Sequence, residues 1–142
     1  MTPPLIIFVD SDVIISSVIS NKGAAYLLLH QSNIERFISN YSRKELKLVI
    51  KRLNLSQSEF RARLNQCKII KLDKTLEAIK KRYTGYIKDQ NDAHIVAGAV
   101  KSKARFLLTY NIKHFVIDKI KNDFDVLCLT PAQFLQYLRV CN

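Results

Sequence analysis

Leu5-Ile6-Ile7-Phe8-Val9 runs directly into Asp10-Ser11-Asp12-Val13. An unbroken apolar run of this length, rather than an alternating one, belongs to a parallel strand covered on both faces. The segment is therefore expected at the centre of a sheet. Two carboxylates follow its end at once, and crowding them there is costly unless a cation neutralises the pair. The stretch that places the strand thus also marks a candidate site.

Outward from this strand the elements alternate. A helix is expected soon after Asp12, and a second after Asn21-Lys22-Gly23, where Ala24, Ala25, Leu27 and Leu28 supply an apolar face. Ile34 to Ser39 alternates apolar and polar residues as a second strand. Ser42-Arg43-Lys44-Glu45 opens a helix with Leu46, Val49, Ile50 and Leu53 as its apolar positions. Residues 56–64 read as a short helix, 68–72 as a short extended piece and 75–83 as helical. The later half holds a helix over 91–102, strands over 105–109 and 125–129, and a closing helix from Pro131, a residue suited to a first helical turn. No repeat, low-complexity tract or linker divides the chain, so residues 1–142 are read as one domain. Strands alternating with helices imply an α/β fold with a central, mostly parallel sheet of four to five strands and helices on both faces.

Composition narrows the partners. Twenty-three Lys and Arg against 12 Asp and Glu give a formal net charge of +11, which attracts polyanions and makes nucleic acid the leading partner. Lys80, Lys81 and Arg82 form one basic cluster, and Lys113 stands just beyond the 105–109 strand. Cys67, Cys128 and Cys141 have neither CxxC nor metal-ligand spacing, so they read as buried or free thiols in a reducing compartment. Asp10 and Asp12 interrupt the apolar N-terminal run, which fits neither a signal peptide nor a membrane span. A cytoplasmic protein without a membrane partner is expected.

In parallel sheets sites form beyond the carboxyl ends of the strands. Asp10 closes the first strand, where a lone acid needs a partner; Asp12 serves either as a ligand or as a helix-cap acid. Glu45 lies beside an apolar stripe, yet Ser42-x-x-Glu45 also matches a capping box. Asp89 reads chiefly as a cap. Asp92 carries more weight, because its helix precedes a strand ending in Thr109-Tyr110-Asn111. Ser11 and Thr109 are orienting hydroxyls or turn formers. Such oxygen donors suit a hard cation, and a bound divalent ion would supply hydroxide and offset charge in phosphodiester hydrolysis without a protein nucleophile. His30, His94 and His114 lack metal-ligand spacing and read as structural or surface residues, with Lys113 or His114 placed to meet phosphate.

Four ordered pieces, FVDSDVIIS, the Ser42-to-Glu45 segment, KDQNDAHIVAGAV and RFLLTYNIKHF, resemble the PIN-domain nucleases across nearly the whole chain. The resemblance implies a metal-dependent ribonuclease using Mg²⁺ or Mn²⁺, with Asp10, Glu45 and Asp92 as acidic ligands and Ser11 and Thr109 at the family's hydroxyl positions. Two departures stand out: Asp12 where many members have an uncharged residue, and Asn111 where many have a fourth Asp. They imply a weaker second metal position and one firmly held ion. Small stand-alone members resemble VapC-type toxins, which implies a homodimer and an antitoxin protein that silences the active site.

Other readings compete with this one. A strand followed by Asp-x-Asp also opens phosphatases of the haloacid-dehalogenase type, but Asp92 and Asn111 do not supply the paired acidic motif that chemistry needs. A catalytically weak PIN-like RNA-binding or scaffold domain is the non-enzymatic alternative, motivated by Asn111 and the charge. An RNA-maturation nuclease is the third.

Overall fold

The computed structural model describes residues 2–141. Its strands are β1 (Leu5–Val9), β2 (Ile34–Ser39), β3 (Lys68–Ile70), β4 (Phe106–Leu108) and β5 (Leu127–Leu129). They form one sheet in the order β3-β2-β1-β4-β5, and every pairing is parallel. β1 lies at the centre, as its apolar run requires: Phe8 is in register with Phe37 on one side and Leu107 on the other. The chain winds outward from β1 to β3, then returns to the opposite side of β1 as β4. This reversal opens a crevice at the carboxyl ends of β1 and β4.

Helices α1 (Ser11–Ile19), α2 (Ala24–Leu29), α3 (Asn40–Arg52), α4 (Gln57–Asn65) and α8 (Pro131–Cys141) cover one face. There Ile7, Val9, Ile38, Phe106 and Leu108 of the sheet pack with Val13, Leu28, Leu46, Phe60 and Phe134. α5 (Leu76–Tyr83), α6 (Ala93–Lys101) and α7 (Ile117–Phe124) cover the other, against Phe8, Leu107 and Cys128. The strand side chains thus divide between two cores by the two-residue period. α6 approaches β1 so closely that a Cβ on Gly98 would meet the Phe8 ring at 2.4 Å. Gly98 is what lets α6 lie flat on the central strand.

Several local readings change. α1 starts at Ser11, with Asp10 as its cap. α3 starts at Asn40, and the Ser39 hydroxyl accepts from the Ser42 N–H at 3.0 Å. The Ser42-to-Glu45 capping box is therefore replaced by a cap three residues earlier; Ser42 is buried inside the helix and Glu45 stands on its second turn. The helix expected over 91–102 is α6 preceded by a 3₁₀ turn at Gln90–Asp92. α7 was not anticipated, although Ile117, Ile120 and Phe124 repeat at i, i+3 and i+7 as one face of a helix does. All three cysteines are free, with Cys128 buried, Cys67 half-buried and Cys141 exposed. Among the described residues no helix is long and apolar enough to cross a membrane.

Candidate active site

The β1–β4 crevice is built by the first residues past two neighbouring strands. The Asp10 N–H donates to the Leu108 carbonyl at 2.9 Å, which extends the β1–β4 ladder and sets Asp10 beside Thr109. One Asp10 carboxylate oxygen accepts from the Ser11 N–H at 2.7 Å and the other from the Thr109 hydroxyl at 2.8 Å. Thr109 is fully buried, accepts from the Asn111 N–H at 3.0 Å, and has Asp12 Oδ2 as a second, longer acceptor at 3.4 Å.

Asp12, in the first turn of α1, reaches the same strand end. Its Oδ2 accepts from the Tyr110 N–H at 3.1 Å and from the Asn111 side-chain amide at 3.0 Å. Its Oδ1 is buried without a partner, as is the Ser11 hydroxyl. An orphaned buried carboxylate oxygen calls for an explanation, and an ion is one of the few available. Asp12 and Asn111, the two departures noted in the sequence, are thus partners in one hydrogen bond.

Asp92 ends the 3₁₀ turn ahead of α6, and its Oδ2 lies 3.2 Å from His114 Nδ1. Burial, then the charges of Asp12 and Asp92, pushes the Asp10 carboxyl up to about 8, against the hydrogen bonds from Thr109 and Ser11. Asp12 is raised as well, by burial first and further by Asp92, while its hydrogen bonds oppose the shift. Asp92 is raised by burial and by Asp89, with His114 pulling the other way. Three acids at one crevice therefore resist ionising together.

The remaining positions fall outside this corner. Glu45 is 54% exposed, and its carboxylate lies 3.5 Å from His94 Nε2. Asp89 is exposed and accepts from the Asn91 N–H at 3.0 Å, as a cap does. Lys80, Lys81 and Arg82 occupy the last turn of α5, and exposed Lys113 lies on the 3₁₀ turn Ile112–His114 next to Asn111. His94, expected from the sequence to be structural or on the surface, is buried against Glu45 with its Nδ1 unpartnered. Its position two residues after Asp92 was the available signal. His114, the other histidine of the site, lies on Asp92.

Among the described residues no three Asp, Glu, His or Cys side chains are grouped closely enough to hold a metal ion by themselves. The donor set still fits one hard cation. It consists of carboxylates whose pKa values are raised by burial first and by neighbouring acids second, and one of their oxygens is buried and unsatisfied.

With this geometry in view, residues 7–113 match the PIN domain, from the middle of β1 through Asp92 to Lys113. The chain belongs to the PIN domain family. PIN domains are generally nucleases. Three solved structures share the PIN fold with it. A toxin–antitoxin complex from Klebsiella pneumoniae is 20% identical with a TM-score of 0.65, covering 87% of this chain and 96% of that one. VapBC2 from Rickettsia felis bound to a DNA fragment from their promoter is 18% identical, with a TM-score of 0.58 and coverages of 89% and 98%. PAE2754 from Pyrobaculum aerophilum is 15% identical, with a TM-score of 0.61 and 96% of each chain covered. At such identities the likeness is one of fold. A comparison with curated proteins gave no match.

Proposed function

We propose that this PIN domain is a divalent-metal-dependent endoribonuclease that hydrolyses RNA phosphodiester bonds, and that it is the toxin component of a toxin–antitoxin pair. The observation that carries the reading is the acidic corner at the sheet's switch point, where burial and neighbouring acids hold Asp10 and Asp12 back from ionising and Asp12 Oδ1 is buried unsatisfied. Asp10, Asp92 and Glu45 would hold Mg²⁺ or Mn²⁺. Glu45 joins them by leaving His94, a movement for which its exposure leaves room. Such an ion, when bound, supplies an ionised water and offsets charge on the phosphate oxygens.

The chain's own residues prepare this. Thr109 and the Ser11 N–H hold the Asp10 carboxylate in one orientation. Asn111 and the Tyr110 N–H fix one oxygen of Asp12 and leave the other free. Asn111 keeps an oxygen at the fourth acidic position while its amide steadies Asp12. His114 restrains Asp92, and Asp89 holds the turn that presents it. No side chain is needed as nucleophile. The +11 net charge supports RNA as the polyanion, with Lys80, Lys81, Arg82 and Lys113 contacting phosphate. Two fold relatives, a toxin–antitoxin complex and VapBC2, support an antitoxin partner, and a homodimer is proposed with it.

A second reading, an RNA-binding or scaffold domain with weak catalysis, is favoured by one observation: Glu45 faces His94 rather than the corner. Incubation of purified protein with a mixed pool of single-stranded and structured RNA decides between them. Cleavage with Mg²⁺ or Mn²⁺ that disappears with chelator and in Asp92→Asn is expected. Metal-independent retention of uncut RNA would overturn the nuclease in favour of the scaffold.

A further inference from the structure

A cleft of about 310 Å³ opens between α5 and α6, away from the acidic corner. Its floor is apolar, formed by Leu72, Ile79, Tyr83 and Ala97, each almost wholly buried. Cations rim it. Lys101 is already committed, donating to Asp73 at 3.2 Å and to the Lys71 carbonyl. Lys74 and Arg82 form no ion pair among the described residues, the Arg82 guanidinium lying 5.4 Å from the centroid of the Tyr83 ring, so neither charge is neutralised.

The cleft lies along the same helix as one edge of the site. His94, Ala97 and Lys101 stand at i, i+3 and i+7 on α6 and share one face. At 1.5 Å rise per residue, Ala97 lies about 4.5 Å along the axis from His94, which meets Glu45. Tyr41 bridges the same path: its ring lies 6.2 Å from the His94 ring, and its hydroxyl donates to the Lys74 carbonyl at 2.6 Å. The opening therefore begins about one helical turn from the Glu45–His94 edge.

We infer that this cleft is a subsite for one nucleotide flanking the cleaved bond, with the base on the apolar floor and its phosphate between Lys74 and Arg82. The inference rests on the ribonuclease reading and specifies its substrate as RNA that is single-stranded beside the cut. An apolar and aromatic floor with unpaired cations at the rim is the chemistry that holds single strands. The volume is at the small end of ligand clefts and suits one base rather than a helix. A base paired in an A-form duplex has no face to offer it.

The test is fluorescence anisotropy of a short single-stranded RNA in chelator, so that binding is read without cutting. Ala78 lines the cleft from the exposed side of α5, so Ala78→Phe fills it without entering the core. Ala78→Phe is expected to weaken binding about tenfold. Arg82→Ala, which fills nothing, should weaken it several-fold and lower the salt slope by about 0.7. An abasic nucleotide moved along the RNA should cost wild type about tenfold at one position and cost Ala78→Phe nothing further there. Wild-type affinity in both variants, or a flat abasic scan, overturns the subsite even if the wild type cuts RNA. The expected pattern without metal-dependent cutting keeps the subsite and overturns the ribonuclease reading.

Discussion

The two edges of the candidate site are built by different means. At the β1–β4 corner, Asp10 and Thr109 are each the first residue past a strand, so the parallel ladder sets them side by side. Thr109, Tyr110 and Asn111 then hold both acids through short hydrogen bonds. At the outer edge, Glu45 and His94 come from α3 and α6, and one 3.5 Å pair joins them, half of it open to solvent. The corner is preorganised and stores charge repulsion; the outer edge is adjustable and stores little. Preorganised donors in a buried crevice do more for a reaction than groups that must first move.

The largest expected effect tests the corner. Asp10→Asn or Asp92→Asn should lower RNA cleavage by roughly 100- to 1,000-fold while the far-UV circular dichroism stays unchanged. Glu45→Gln should cost less, roughly tenfold, with weaker Mn²⁺ binding by titration calorimetry. Equal losses for Glu45 and Asp10 would break the comparison, because both edges would then act as one unit. Gly98→Ala strikes both at once, since α6 follows Asp92 and carries His94. The clash with Phe8 should destabilise the fold by about 1–3 kcal/mol in urea titrations, and an unchanged midpoint would show that α6 can lift off β1 freely.

The burial of Asp10 among other acids has its own pH signature. Asp10 is raised from 3.8 to about 8, so the folded chain keeps a proton that the unfolded chain has lost. Its contribution to metal-free stability is full below about pH 3.8 and is lost as the pH rises through about 8. Thermal melts in chelator should therefore fall across this window, and Asp10→Asn should flatten the fall and melt at least about 4 °C higher at its upper end. A wild-type melting temperature that rises toward pH 8 in step with the variant's would remove the stored charge from the corner. The smallest effect concerns neither edge: replacing Lys80, Lys81 and Arg82 with Ala should reduce the slope of log affinity against log salt by about 2. No change in slope would place the RNA elsewhere.

Legibility followed the range of the interactions. The Leu5–Val9 run and the acids behind it were readable because burial on two faces and charge crowding act within a few residues. All five strands lie within segments the sequence marked as extended, by an apolar run for β1 and by alternation for β2, and the sheet is parallel throughout. Ser42 was misread as a cap because Ser39 and Ser42 are both plausible caps, and only where β2 ends decides between them. α7 is a different case: Ile117, Ile120 and Phe124 repeat at helical spacing, so the signal was present in the sequence but confined to eight residues.

By itself the sequence determined an α/β chain with a central parallel strand, a strongly basic balance and acids at the strand exits, since each follows from neighbouring residues or their sum. The tertiary structure alone decided that Asn111 faces Asp12, that His114 holds Asp92 and that His94 meets Glu45. Those pairs join residues that are far apart in the chain, and only the return of β4 beside β1 and the laying of α6 across the sheet bring them together.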